Sequence, residues 1–109
     1  MEAVTQRDGD VVVRLAGELD LYNAAEVGAA VEQAAQGAPG RLVVDLTEVS
    51  FVDSTALGTL FEAKRGLQQS IRFLLAAPSD DVRRALEVSG LESHFAVHDT
   101  VEAALASTA

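Results

Sequence analysis

The segment Asp53-Ser54-Thr55 is the part of the chain best suited to chemistry, because it places a carboxylate and two hydroxyl groups side by side. It follows the apolar run at residues 42–46 and a short polar stretch that we predict to be a loop, and a helical pattern begins directly after it. Asp, Ser and Thr are all preferred N-cap residues, so helix capping is the simplest interpretation of any one of them. Three such residues in a row are more than one helix cap requires. We therefore expect Ser54 to be exposed at a helix N-terminus, where another protein can modify it.

Three other kinds of site are not supported by the pattern. A serine hydrolase requires the Gly-x-Ser-x-Gly elbow, which is absent, and the two histidines, His94 and His98, are both expected near the last strand. A receiver domain requires an adjacent acidic pair after its first strand to hold magnesium, and Gly17-Glu18 does not supply one. A Gly-rich phosphate-binding loop is also absent. We therefore predict a protein that is not an enzyme and has no metal site and no cofactor.

The second acidic candidate is Asp20, in the segment Gly17-Glu18-Leu19-Asp20, which we predict to open a loop over residues 17–22. Spacing alone does not separate its two interpretations. Asp20 is either a solvated turn residue, or it joins Asp53 in an acidic rim around Ser54. Both segments follow predicted strands, and in α/β sheets functional groups collect beyond the strand ends. The two segments can therefore share one edge of the sheet.

The composition limits the choice of partners. The 109 residues include 8 basic and 17 acidic side chains, a formal net charge of −9, whereas nucleic acid and anionic membranes bind clustered Lys and Arg. We expect neither as a partner. The absence of cysteine excludes disulfides and thiol chemistry. The first residues do not form a signal peptide and the apolar runs are too short to span a bilayer, so we expect a cytoplasmic protein without membrane insertion.

Hydrophobic periodicity predicts a hairpin, turning at Asp8-Gly9, and then alternating helices and strands. The predicted strands cover residues 2–6, 11–16, 41–46, 71–76 and 95–98. The predicted helices begin at the caps Asn23, Asp53 or Ser54, Ser79 and Asp99, and Ser107-Thr108-Ala109 is expected to be a frayed end. This order predicts an α/β fold in one domain over residues 1–109: a mixed, mostly parallel sheet with about four α-helices.

Two segments together resemble the STAS family. They are Gly17-Glu18-Leu19-Asp20 and the longer Asp45-Leu46-x-x-Val49-x-Phe51-Val52-Asp53-Ser54-Thr55-x-Leu57-Gly58. The likeness runs over nearly the whole chain, and Asp-Ser-Thr-x-Leu-Gly after a strand is its most specific part. More narrowly, the chain resembles bacterial anti-sigma-factor antagonists. It departs from them at Ala56, where relatives usually have glycine, and we expect the added methyl group to lie next to the docking surface.

The resemblance implies a phosphorylation switch. In the family, the anti-sigma factor is a serine/threonine kinase that phosphorylates the serine corresponding to Ser54, and Asp53 and Asp20 correspond to aspartates beside that serine. The implied partner-binding and switch region continues through Thr55, Ala56, Leu57 and Gly58. The unphosphorylated protein is expected to bind the anti-sigma factor and free a sigma factor. A PP2C-type serine phosphatase is expected to reset the phosphorylated form.

A second interpretation keeps the fold and changes the role. The chain would then be a STAS subunit of a larger assembly, such as a transporter complex or a stress-signalling complex, in which the helix after Ser54 is a permanent docking face. The two interpretations differ in reversibility, because a switch binds its partner only in the unphosphorylated state.

Overall fold

An N-terminal hairpin opens the fold, and four helices then alternate with three further strands in the computed structural model, which describes residues 2–108. The strands are β1 (Glu2–Arg7), β2 (Asp10–Leu19), β3 (Arg41–Val52), β4 (Arg72–Ala76) and β5 (Ala96–His98). The helices are α1 (Ala24–Ala35), α2 (Ser54–Arg65), α3 (Asp80–Ser89) and α4 (Val101–Ala106), with a 3₁₀ turn at Glu92–His94. None of these described helices is long and apolar enough to cross a membrane. The order and types of the elements agree with the prediction.

The five strands form one sheet in the same order as they occur in the chain. β1 pairs with β2 in the antiparallel sense through a two-residue turn, Asp8 and Gly9, whose φ angles of 51° and 87° are those of a type I′ turn. All other neighbouring strands are parallel, so the sheet is mixed and mostly parallel, as predicted. The parallel arrangement brings the carboxyl ends of β2, β3, β4 and β5 to one edge of the sheet, which we call the carboxyl edge.

The main core lies between the sheet and the first three helices. Right-handed connections between successive parallel strands place α1, α2 and α3 on the same face. Three inaccessible side chains in register across the sheet, Val13, Val44 and Leu75, belong to this core. On the opposite face, α4 packs on a smaller cluster that includes Val43 and Leu74.

Strands β2 and β3 extend further than the hydrophobic pattern predicts. The sequence suggests a loop after Ala16 and another after Leu46, but β2 continues to Leu19 and β3 to Val52. The register between the two strands shifts twice, and β3 holds one extra residue at each shift. Such bulges interrupt the alternation of apolar and polar residues by which a strand is recognised. The predicted polar loop before α2 is therefore wrong.

Two of the predicted helix caps are confirmed. The side chain of Asp53 accepts a hydrogen bond from the N–H of Ala56 at 2.8 Å, and Ser79 does the same for Val82 at 3.2 Å. Each satisfies one of the backbone donors that the first turn of a helix leaves free. Because the two residues are only three positions apart, a short stretch of sequence is enough to predict this hydrogen bond.

Of the other two predicted caps, Asn23 holds the N-cap position of α1 without capping through its side chain, and Asp99 is not the N-cap of α4. The side-chain amide of Asn23 instead accepts a hydrogen bond from the N–H of Asp20 and donates one to the carbonyl of Glu18 near the end of β2. Helix α4 is capped by Thr100 rather than Asp99. Asp99 forms an ion pair with Arg83, with a nitrogen-to-oxygen distance of 2.7 Å.

The predicted frayed end is also wrong as far as Ser107, while Ala109 lies outside the described residues. The guanidinium of Arg41 donates hydrogen bonds to the Ser107 carbonyl, one of them from Nε at 3.1 Å. Its Nη1 lies 3.2 Å from a carboxylate oxygen of Asp10. Arg41 therefore ties the hairpin, β3 and the end of α4 together.

Candidate functional site

Ser54 is the first residue of α2 and is exposed at the carboxyl edge. Ser54 lies at this edge because β3 ends at Val52 and α2 begins two residues later. Helix geometry leaves the N–H groups of Ser54 and Thr55 without an intrahelical acceptor. The Ser54 hydroxyl therefore lies at the positive end of the α2 dipole, which favours negative charge. This confirms the predicted surface position at a helix N-terminus.

Asp53 joins α2 to the loop between β2 and α1. One carboxylate oxygen accepts from the N–H of Ala56, and the other accepts from the N–H of Leu21 at 3.0 Å. The Asp53 N–H in turn donates to the carbonyl of Leu19 at 3.0 Å. The prediction that the Asp20 segment and the Asp53 segment share one edge of the sheet is therefore confirmed by direct hydrogen bonds between the two segments.

The loop beside Ser54 is closed on itself by side-chain hydrogen bonds. The Asp20 carboxylate accepts from the N–H of Tyr22 at 3.0 Å, and the Asn23 amide accepts from the N–H of Asp20 at 2.9 Å. The same amide donates to the Glu18 carbonyl at 2.8 Å. These contacts fix the loop backbone and project two large apolar side chains, since Leu21 is 59% and Tyr22 86% exposed. We call Leu21 and Tyr22 the apolar tip.

The predicted switch residues divide into accessible and buried ones. Ser54 and Thr55 are exposed, and Asp20, Asp53 and Gly58 are partly exposed. Ala56 and Leu57, however, are 0% and 2% exposed and belong to the main core. The expectation that the methyl group of Ala56 lies next to a docking surface is therefore wrong, because the turn of α2 directs position 56 toward the sheet.

Several acidic residues lie at the carboxyl edge. Asp53 directly precedes Ser54, Asp20 lies in the loop that is hydrogen-bonded to Asp53 through Leu21, and Asp80 and Asp81 lie in the first turn of α3. Within residues 2–108 no group of three or more Asp, Glu or His side chains is arranged to hold a metal ion. The edge thus has an exposed hydroxyl, a helix dipole that tolerates an anion, and neighbouring charges that oppose one.

Comparison with known proteins gives the family. Residues 2–104 match the family model of the STAS domain. The chain belongs to the STAS family. The structure in turn supplies the arrangement expected from the resemblance, with the Asp-Ser-Thr segment at the start of a helix that follows a sheet strand.

The STAS relatives include several antagonists of anti-sigma factors. The anti-sigma-F factor antagonist RsfB of Mycobacterium tuberculosis is 31% identical over 102 residues, which cover 94% of this chain and 84% of RsfB. The structure of an anti-sigma factor antagonist from Mycobacterium paratuberculosis superposes with a TM-score of 0.88 at 30% identity, covering 96% of this chain and 90% of the other. The phosphorylated form of SpoIIAA from Bacillus superposes with a TM-score of 0.69 at 29% identity, covering 96% of each chain.

The apolar tip of this STAS domain is the feature that reasoning from sequence missed. Leu21-Tyr22 is a pair of large apolar residues in the loop predicted over residues 17–22, and this composition was the available signal. What the sequence did not reveal is the hydrogen bond from Leu21 to Asp53, which brings the tip next to the start of α2. Adjacent large apolar side chains that are exposed are typical of a surface that a partner covers.

Proposed function

We propose that this protein is an anti-sigma-factor antagonist, a cytoplasmic binding protein and not an enzyme. In its unphosphorylated form it binds an anti-sigma factor that is a serine/threonine kinase, and this binding frees a sigma factor. The kinase phosphorylates Ser54 and the complex then separates, and a PP2C-type serine phosphatase restores the binding form. The observation that carries the proposal is the exposed Ser54 at the start of α2, held beside the Asp20 loop by Asp53.

The position of Ser54 suits a kinase substrate. A kinase must bring the serine hydroxyl in line with the γ-phosphate of ATP, so the hydroxyl has to be accessible and well positioned. Ser54 is exposed, and the Asp53 carboxylate fixes the first turn of α2 through a 2.8 Å hydrogen bond from Ala56 and joins it to the neighbouring loop through a 3.0 Å hydrogen bond from Leu21. The serine therefore needs little reorganisation before transfer.

The fold is expected to tolerate the phosphate. A phosphoserine brings about −1.5 to −2 charges at pH 7. At the first position of α2, the free N–H groups of Ser54 and Thr55 and the helix dipole favour an anion. The added charge stays at the carboxyl edge and does not enter the core, because Ser54 is exposed. Phosphorylation thus changes the surface more than the structure.

The binding surface is expected to change sharply, because the dianion joins carboxylates that are already there. Asp53 directly precedes Ser54. Asp20 lies in the loop whose Leu21 N–H is hydrogen-bonded to the Asp53 carboxylate. Where a partner brings its own negative charge to this edge, each close like-charge pair costs about 4 kcal/mol at a separation of 4 Å and an effective dielectric constant of 20. A change of about 1.4 kcal/mol already alters affinity tenfold. Repulsion at contact distance is therefore sufficient for release without a large rearrangement.

The apolar tip provides attraction in the unphosphorylated state. Leu21 and Tyr22 are 59% and 86% exposed and adjoin the start of α2. Tyr is among the residues enriched at the energetic centres of interfaces, because it buries a large area with little loss of side-chain freedom. We propose that the partner covers this tip together with Ser54, so that a phosphate on Ser54 enters a desolvated contact.

The test uses as its kinase an anti-sigma factor from the organism that produces this protein. The wild type and two variants, Ser54→Ala and Thr55→Ala, are incubated with this kinase and Mg-ATP and analysed by intact mass and peptide mapping. We expect one phosphate on the wild type and on Thr55→Ala, and none on Ser54→Ala. Phosphate transfer to a residue other than Ser54 would contradict the assignment. A complex that persists equally with and without phosphate would favour a permanent subunit of a larger assembly.

A further inference from the structure

The outer strand β1 is an edge that the rest of the described chain leaves open. It forms one border of the sheet, and its residues from Ala3 to Arg7 are all exposed. Natural proteins protect such edges with proline, lysine, bulges or very short strands. β1 has six residues in uninterrupted register with β2 and contains neither proline nor lysine, whereas β5 at the other border has only three residues.

The hairpin turn determines which backbone groups of β1 point outward. In a two-residue hairpin the flanking pair, here Arg7 and Asp10, exchanges both backbone hydrogen bonds, and bonded and non-bonded pairs then alternate along the ladder. The backbone N–H and C=O groups of Arg7, Thr5 and Ala3 therefore face β2. Those of the intervening residues, Gln6, Val4 and Glu2, face away from the sheet and are available to another strand.

The outward-facing backbone groups belong to Glu2, Val4 and Gln6 and are therefore arranged symmetrically about Val4. A second copy of β1, running antiparallel, presents the same groups at matching positions. We propose that β1 pairs with β1 of a second copy in the antiparallel sense, on a two-fold axis at Val4. Val4 then lies opposite Val4 of the second copy, and Gln6 lies opposite Glu2. The outward groups of all three residues are satisfied by about six backbone hydrogen bonds, and the helices of both copies stay on the same face of a continuous sheet.

The surroundings of Val4 fit this pairing. Val4 is an exposed large apolar residue, with 51% of its surface accessible, although its backbone is in a strand. It lines a groove of about 380 Å³ between β1 and α1, together with Gln6, Ala30 and Ala34. A strand added at this edge places its own central valine over the groove, because residues opposite each other in a ladder project to the same face.

The charge distribution also favours pairing through β1. The six residues of β1 include one acidic and one basic residue, Glu2 and Arg7, and are neutral in a chain of net charge −9. The two-fold axis also points the acidic carboxyl edges of the two copies in opposite directions, so these edges do not face each other across the pairing. Ser54 remains accessible in both copies, and the pairing is therefore independent of the proposed switch.

The proposal is tested by sedimentation velocity from micromolar to about 1 mM protein, at low salt and in 0.5 M NaCl. We expect the wild type to shift toward twice its 11.4 kDa mass with concentration, and more strongly in salt, which screens the net charges. Val4→Lys should remain monomeric. Val88→Lys, which makes the same charge change at an 82% exposed position on α3, should behave as the wild type. A wild type that stays monomeric throughout, or a Val4→Lys variant that dimerises equally, would overturn the proposal.

Amide hydrogen exchange of the wild type tests the register without any variant. The N–H groups of Val4 and Gln6 should become protected as concentration rises, whereas those of Thr5 and Arg7 are protected at all concentrations by β2. Protection of Val4 and Gln6 that appears only when another protein is added would overturn the second copy as the occupant. Ser54→Asp should dimerise as the wild type, which separates this result from the outcome for the switch.

Discussion

The Asp53 carboxylate accepts hydrogen bonds from the N–H groups of Ala56 and Leu21, at 2.8 and 3.0 Å, and so connects the start of α2 to the loop that carries the apolar tip. One side chain thereby caps the helix that presents Ser54 and holds the neighbouring loop. The position of Ser54 and the position of the apolar tip are consequently linked.

Asp53→Ala should destabilise the protein by about 2 kcal/mol, because it removes a helix cap and a second hydrogen bond at once. Asp53→Ser should recover the cap but not the longer contact to Leu21, and should cost about 1 kcal/mol. Urea unfolding measures both values. Ser79→Ala, which removes only the cap of α3, is the matched control at about 1 kcal/mol. An Asp53→Ala variant no less stable than Ser79→Ala would show that the contact to Leu21 contributes nothing.

Tyr22→Ala should leave the free energy of unfolding within about 0.5 kcal/mol of the wild type, because the side chain is 86% exposed. Its affinity for the anti-sigma factor should fall about tenfold or more, as expected for an aromatic residue at the centre of an interface. Isothermal titration calorimetry measures the affinity. Val88→Ala on α3 is equally exposed and should change neither quantity. Equal affinities of Tyr22→Ala and the wild type would remove the apolar tip from the interface.

Gly58→Ala should stabilise the protein by about 0.5–1 kcal/mol, because alanine favours a helix interior and a methyl group at this position meets no atom within 4 Å. Gly28→Ala is the matched contrast in α1. There the new methyl carbon would lie 3.0 Å from Cγ2 of Thr59, whose hydroxyl is held by the Thr55 carbonyl. The crowding should cancel the gain in helix propensity or exceed it by about 1 kcal/mol. Thermal unfolding distinguishes the two, and equal stabilisation by both substitutions would contradict the packing described here.

The stabilised Gly58→Ala variant also probes the surface around Ser54. Gly58 lies one helical turn after Ser54 and is partly exposed, and packing within the chain does not require a glycine there. If Gly58 belongs to the partner-binding region that the family resemblance implies, the variant should bind the anti-sigma factor more weakly although it is more stable. Unchanged affinity would place Gly58 outside that region.

Arg41→Met should destabilise the protein by about 2 kcal/mol, because it leaves the partly buried Asp10 carboxylate without its ion pair and releases the Ser107 carbonyl. The exposed pair between Arg7 and Glu102 is the control, and Arg7→Met should cost less than about 0.5 kcal/mol. Both values come from denaturant unfolding. A loss as small for Arg41→Met as for Arg7→Met would contradict the role of Arg41 in tying the hairpin, β3 and the end of α4 together.

The features that the sequence reveals correctly are those with short-range causes. Asp53 and Ser79 cap helices that begin next to them, and the Asp8-Gly9 turn requires positive φ at both positions. The same locality holds for Ser54, whose exposure follows from its place at a helix N-terminus.

The features that the sequence conceals depend on residues far apart in the chain. Asp99 has the pattern of a cap, but it pairs with Arg83 on another helix. Strand β3 continues to Val52 through two bulges that adjust its register to β2. Ala56 is buried because of the orientation of α2 on the sheet. The position of Leu21 depends on the hydrogen bond between its N–H and the Asp53 carboxylate. None of these long-range choices leaves a periodic signal in the sequence.

The most direct test of the central claim compares the affinity of the anti-sigma factor for three proteins: the unphosphorylated wild type, the wild type phosphorylated on Ser54, and Ser54→Ala. Calorimetry with the purified kinase and ADP measures all three without further phosphate transfer. The account predicts equal affinities for the unphosphorylated wild type and Ser54→Ala, and a loss of about a hundredfold or more for the phosphorylated protein. Equal affinities of the phosphorylated and unphosphorylated proteins would contradict it.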